Sequence, residues 1–204
     1  MTGQKNMRVG VLASGGGSNF QALIEARCAR LVALITNVPQ AGCLERAAAA
    51  GIPTEVLDHK RFDSRQSYDA ALLMVLRKHE VELVVLAGFM RILTPGLLRE
   101  FPHRVVNVHP ALLPSFPGIH ASRQALEHGV KIAGCTVHLV DEGTDTGPII
   151  AQAAVPVLDT DNEASLQLRI QVEEHRLFPK VVKALAEGRV TVSGRRVTIA
   201  GEQP

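Results

Sequence analysis

The chain has no tryptophan and one tyrosine, and aromatic residues make up only 3% of its 204 residues. The core must therefore be filled by Leu, Val, Ile and Ala, a composition that suits buried strands covered by alanine-rich helices. Cysteine is equally sparse. Cys28, Cys43 and Cys135 are odd in number, far apart and without CxxC spacing, which argues against a disulfide framework or zinc knuckle and for buried thiols in a reducing compartment. Charge of one sign is missing too: 22 Lys and Arg meet 20 Asp and Glu, too even a balance for the electrostatic footprint of a nucleic-acid binder. No apolar run approaches the roughly 18 residues a membrane span needs, and MTGQKNMRVG has no apolar signal core. These absences predict a cytoplasmic protein with no nucleic-acid and no membrane partner.

What is present is a rhythm. Apolar runs recur at RVGVLAS (8–14), LVALITN (31–37), TEVLD (54–58), LVVLAG (83–88) and VVNVH (105–109), each short, β-branched and nearly continuous. Such runs suit strands buried on both faces of a parallel sheet. NFQALIEARCA, LERAAAAG and SYDAALLMVLRKHE supply helices between them. The alternation predicts a single α/β domain over 1–204 with an open, mostly parallel twisted sheet, Rossmann-like in its N-terminal half, and helices on both faces. After residue 130 the pattern changes to two longer strands, AGCTVHLVDEG and PIIAQAAVPV, and a long helix from about Glu163 to Ala186. Residues 189–200 read as a small hairpin, a structural appendage, and 1–7 as a flexible N-terminus. Ligands are expected at the carboxyl ends of the parallel strands.

Between the first strand and first helix lies SGGGSN, Ser14 to Asn19. Glycines let a ligand approach the backbone, and successive amides at a helix N-terminus present donors to a phosphate. The plain alternative is a tight turn through Gly15, Gly16 and Gly17, with Ser18 or Asn19 capping the helix. No lysine follows at the Walker A position, and the third glycine of GxGxxG is missing. A phosphate on a smaller molecule, held by amides and by Ser18 and Asn19, is the ligand reading that survives.

In VVNVH, Val106 and Val108 share one face, and Val105, Asn107 and His109 share the other. An amide donor beside an imidazole at a strand's carboxyl end suits oxyanion stabilisation and proton movement. A lone histidine is more often a satisfied core residue, and the pattern alone leaves both readings open. In DEGTDTGPI (141–149), Asp141, Glu142 and Asp145 lie between two apolar strands. Glycine-rich turns commonly use Asp for local backbone bonds. A carboxylate folded against His109 would instead favour the imidazolium and fix the ring. His59, His103, His120 and His138 are each explained as loop, strand or surface residues. With no HExxH or other close ligand spacing, no metal is expected. Cys135, within AGCTVHL, reads as core.

Four stretches, GGGSNFQALIE, LAGFMRIL, NVHPALLPSFPGIHA and GCTVHLVDEGTDTGPIIAQ, resemble in order and spacing the glycinamide ribonucleotide formyltransferases, folate-dependent enzymes of purine synthesis. The resemblance runs from Arg8 to about Gly188. It implies the formyltransferase fold and transfer of the formyl group of a co-substrate, 10-formyltetrahydrofolate, to the amine of 5-phosphoribosylglycinamide. The transfer it implies is a direct attack through a charged tetrahedral intermediate, with no metal and no covalent enzyme intermediate.

On the matching positions the resemblance implies Asn107, His109 and Asp145 as the catalytic group. It implies Gly17, Ser18, Asn19, Gln171 and Glu174 as contacts of the ribonucleotide. For the folate it implies Arg65, Met90, Arg91, Ile92, Leu93, Asn107 and the loop of Asp141, Glu142, Gly143, Thr144 and Asp145. The partners are then these two small molecules, and the chain is expected to be a monomer or a homodimer. The sequence departs from the family pattern at Gly16, Ala111 and Thr146, where Asn, Ser and Gly are common. A methionyl-tRNA formyltransferase or a formyltetrahydrofolate hydrolase could share the Asn, His and Asp groups, but the glycine loop favours a small phosphorylated acceptor.

Overall fold

A computed structural model describes residues 7–201. The segment expected to be flexible, 1–7, lies outside the described residues except for Met7, whose amide donates to the Ala186 carbonyl at 3.1 Å. Strands β1 (Arg8–Ala13), β2 (Arg30–Thr36), β3 (Thr54–Val56), β4 (Leu83–Leu86) and β5 (Val105–His109) run parallel. Strands β6 (Ile132–Leu139) and β7 (Ile149–Pro156) extend the sheet antiparallel. The spatial order is β3-β2-β1-β4-β5-β6-β7, and β8 (Val190–Ser193) pairs with β9 (Arg196–Ile199) as a separate hairpin.

The central strands bury both faces, as their continuous apolar runs require. One face is covered by α1 (Ser18–Ala26), α2 (Cys43–Ala49), α5 (Ala121–Glu127) and α6 (Glu163–Ala186), through Phe20, Leu23, Ala47, Ala125, Ile170 and Phe178. On the other, α3 (Arg65–Lys78) presents Tyr68, Leu72 and Leu76 at helical spacing, and α4 (Pro95–Glu100) adds Leu97. Each fully buried leucine here contributes about 1.5–3 kcal/mol relative to exposure. Strand β5 divides as its alternation predicts: Val106 and Val108 join the first core and Val105 the second.

Helices α4 and α5 are absent from the sequence reading. They are short, six and seven residues, and α5 lacks the alanine run that marks the equally short α2. Cys43 and Cys135 are buried and Cys28 partly so, all three as free thiols. Among the described residues no helix is long and apolar enough to cross a membrane.

The chain passes from β1 outward to β2 and β3, then returns to place β4 on the other side of β1. That reversal opens a crevice at the carboxyl ends of β1 and β4, the place where open α/β sheets bind ligands.

Candidate active site

A cavity of about 880 Å³ occupies this crevice, within the range of small-molecule sites. Of the residues singled out from sequence, Gly17, Ser18, Asn19, Gln171 and Glu174 line it, as do Met90, Arg91, Ile92 and Leu93. So do Asn107, His109, Asp141, Gly143, Thr144 and Asp145. Arg65 and Glu142 do not: Arg65 is the exposed first residue of α3, and Glu142 is exposed in the β6–β7 loop.

Ser14 organises the first wall. Its Oγ donates to Asn37 Oδ1 at 2.6 Å and accepts from the Met90 amide at 2.8 Å, so the loops after β1, β2 and β4 are tied together. Gly17 occupies the cap position of α1 at φ +73°, and a Cβ there would stand 2.6 Å from the Cβ of Cys43. Only glycine meets both demands. Neither Ser18 nor Asn19 caps the helix. Gln171 Nε2 donates to Ser18 Oγ at 2.8 Å, and Asn19 Nδ2 donates to Glu174 Oε2 at 2.9 Å. Both side chains are thus turned toward α6, while Asn19 Oδ1 stays buried without a protein partner. Burial pushes the Glu174 carboxyl above its usual range, against the stabilising Asn19 bond.

At the next strand ends, Asn107 lies opposite His138 in the β5–β6 register. His138 Nδ1 is 2.9 Å from the Leu139 carbonyl, which can only accept, so Nδ1 carries the proton. In the neutral ring Nε2 then holds a lone pair, and it accepts from Asn107 Nδ2 at 3.2 Å. The imidazole tautomer thereby orients the Asn107 amide and leaves its second N–H free for a ligand.

His109 is 4% exposed. Its Nε2 donates to the Phe116 carbonyl at 2.8 Å, and its Nδ1 is 3.3 Å from Asp145 Oδ2. The same carboxylate accepts from the Gly118 amide at 2.8 Å and sits 3.6 Å from His138 Nε2. Burial lowers the His109 pKa most strongly; the Phe116 bond and the Asp145 charge oppose it, and His138 adds to it. For Asp145, burial alone would raise the pKa, but the cationic forms of His138 and His109, together with the Gly118 amide, hold the carboxyl below its ordinary value. A neutral ring facing an ionised carboxylate with a lone pair is poised to take up a proton at Nδ1. Uptake turns that unfavourable contact into an ion pair.

The loop after β5 is built to hold this arrangement. Thr136 Oγ1 donates to Ala111 O at 2.6 Å and accepts from the Leu113 amide at 3.0 Å, and Gln152 Nε2 donates to the Leu113 carbonyl at 2.9 Å. Strands β6 and β7, through Thr136 and Gln152, thus fasten the run toward Phe116 and Gly118. The 141–147 loop is closed on itself: Asp141 Oδ1 accepts from the Gly143 amide and from Thr146 Oγ1. Asp145 is held at φ +55°, a conformation that surrounding contacts must enforce in a non-glycine residue.

The formyl transferase profile matches residues 7–182. The chain belongs to the formyl transferase family. This formyl transferase is 48% identical over 196 residues to a phosphoribosylglycinamide formyltransferase of Mycobacterium tuberculosis, covering 94% of this chain and 91% of that protein. It is 50% identical over 200 residues to the trifunctional purine biosynthetic protein adenosine-3 of Drosophila melanogaster. The match covers 95% of this chain but only 15% of that longer protein. A crystal structure of glycinamide ribonucleotide transformylase 1 from Symbiobacterium toebii superposes with a TM-score of 0.92 at 49% identity, covering 95% of this chain and 93% of that one.

Among the side chains lining the cavity of this formyl transferase is His138, which the sequence reading explains without chemistry. Alternation in TVHL puts Thr136 and His138 on one face, but the placement of His138 at the cavity rests on the β5–β6 register, which pairs the two with His109 and Asn107 respectively. Burial pushes the Cys135 thiol up to about 12, so it offers no thiolate at neutral pH. No group of three or more metal-binding side chains occurs among the described residues.

Proposed function

We propose that the chain, acting as one domain over 1–204, transfers the formyl group of 10-formyltetrahydrofolate to the amine of 5-phosphoribosylglycinamide in cytoplasmic purine synthesis. The observation that carries this reading is the meeting, in one cavity, of the phosphate-type glycine loop with an oriented Asn107 amide and the His109–Asp145 pair. The ribonucleotide phosphate lies on the amides of Gly17, Ser18 and Asn19 at the start of α1. Gln171 and Glu174 take the sugar hydroxyls and glycine amine, and the unpaired Asn19 Oδ1 is a ready acceptor for one such donor. The folate lies against Met90, Arg91, Ile92 and Leu93 and beneath residues 141–145, with Arg65 toward its tail.

Binding both substrates side by side makes the bimolecular step effectively intramolecular. The amine nitrogen attacks the formyl carbon, and the carbonyl oxygen becomes an oxyanion that accepts the free N–H of Asn107. His109 Nδ1 takes a proton from the attacking nitrogen, and Asp145 stabilises the imidazolium that results. The His109 imidazolium then gives that proton to the departing folate nitrogen as the carbon–nitrogen bond breaks, regenerating the neutral ring and giving the N-formyl product and tetrahydrofolate. Because the Asp145 contact strengthens as charge develops, it favours the transition state over the ground state.

The test is formyl transfer between these two compounds by purified protein, monitored as tetrahydrofolate release and N-formyl product. Release of formate without need of the acceptor would overturn this reading in favour of a hydrolase. Sedimentation of the same preparation distinguishes monomer from homodimer.

A further inference from the structure

We propose that Arg195, at the tip of the C-terminal hairpin, is a positioning residue for the loop that carries Asp145. The inference rests on the formyl-donor role given above to residues 141–145.

The hairpin is fastened at both ends. At its base the Arg189 amide donates to the Ala184 carbonyl at 2.9 Å, Arg189 and Ala200 exchange backbone and side-chain bonds, and Val190 and Val192 pack on the core. At its tip Gly194 adopts φ +58° in a two-residue turn between the paired Ser193 and Arg196, as a II′ hairpin turn requires at its first position. Arg195 follows, and its Nη1 and Nη2 both donate to the Thr146 carbonyl at 3.0 Å.

Thr146 directly follows the strained Asp145, and its own hydroxyl donates to Asp141 Oδ1. On its other side Gly147 is pressed against β6, where a Cβ would overlap the Leu139 carbonyl. The loop therefore has an internal tie at Asp141, a packed anchor at Gly147 and one external cationic tie at Thr146. Of these, the Arg195 contact alone reaches the loop from the hairpin. It opposes relaxation of the Asp145 backbone out of its left-handed conformation, and so favours the geometry in which the carboxylate meets His109.

A hairpin read from sequence as an appendage thus becomes a strap from the end of α6 to the donor side of the cavity. Among the described residues the hairpin's hydrogen bonds to the rest of the chain run to Thr146, Ala184 and Glu187 and none to the glycine loop or Glu174, so the two substrates should respond differently to its loss.

The experiment compares full-length wild type with Arg195→Ala, Arg195→Lys and, as a control for loss of one exposed charge, Arg196→Ala. Steady-state rates are measured with each substrate varied, and hydrogen exchange is followed in peptides spanning 141–147. For Arg195→Ala the KM for the formyl donor is expected to rise about threefold to tenfold, as the loss of one exposed charge-assisted bond would give. The acceptor KM stays within about twofold on the same scale. Loop amides exchange faster, Arg195→Lys recovers part of both effects, and Arg196→Ala matches wild type. Equal loop exchange in Arg195→Ala and wild type, or an equal rise in both KM values, would overturn the inference. The exchange measurement needs no turnover, so it keeps failure of the strap distinct from failure of the assigned reaction.

Discussion

Asn107 and His138 face each other across β5 and β6, with Nδ2 of one 3.2 Å from Nε2 of the other. Since the Leu139 carbonyl fixes the proton on His138 Nδ1, the imidazole acts as an acceptor that determines which way the amide points. Asn107→Ala is expected to lower kcat about 10²- to 10³-fold, the cost of removing one oxyanion donor. His138→Phe keeps the ring but loses the acceptor, and a loss of about tenfold is expected from a misoriented donor. The two effects act through one group and should not add. If kcat of the double variant falls to the product of the two single losses, His138 does not work through Asn107.

Burial places the pKa of His109 below its ordinary 6.5, and the Asp145 charge partly offsets that shift. The neutral ring is the form that can accept a proton, so kcat/KM should fall as pH drops through the His109 pKa. Asp145→Asn removes the charge that holds this pKa up. Its acid limb should then move to lower pH while the plateau rate falls about 10²- to 10³-fold. A pH–rate profile whose acid limb moves upward in Asp145→Asn would contradict this coupling.

Much of this site can be read along the chain because its parts are local. Asn107 and His109 are two residues apart on one strand, and Gly17, Ser18 and Asn19 are consecutive. The sheet was legible for a related reason: β1, β2, β4 and β5 are buried on both faces, and continuous apolar runs carry that information. What could not be read depends on contacts distant in sequence. The His138 tautomer matters only through the antiparallel register, and the Arg195–Thr146 contact joins residues 49 positions apart. Arg65 and Glu142, assigned through resemblance, lie on the exposed surface outside the cavity lining.

Gly17→Ala tests the wall of the proposed phosphate site. The new methyl group must occupy space 2.6 Å from Cys43 Cβ while the backbone stays at φ +73°, so a destabilisation of about 1–3 kcal/mol is expected. Displacement of the loop should also raise the KM for the ribonucleotide more than that for the folate. A thermal melt matching wild type, with both KM values unchanged, would mean that the loop can absorb the methyl group.

Glu174 should trade stability for binding. Its carboxyl is 4% exposed, and burial raises its pKa above the ordinary 4.5. The native state therefore binds this proton more tightly than the unfolded chain, and stability falls as pH rises from about 4.5 through the raised value. Above that window the cost of a buried carboxylate is present in full. Glu174→Gln removes the charge and keeps an oxygen to accept from Asn19 Nδ2, so at neutral pH the free protein should become more stable. A gain of about 1 kcal/mol would raise Tm by about 2–4 °C at this chain length. The gain should vanish as pH falls below about 4.5, where Glu174 becomes protonated in both states. Ribonucleotide affinity should move the other way, because an amide cannot match a carboxylate facing an amine. Melting curves from pH 4 to 8 with and without the ribonucleotide would separate the two effects, and a variant less stable than wild type at neutral pH would show that the ionised carboxylate is itself a structural requirement.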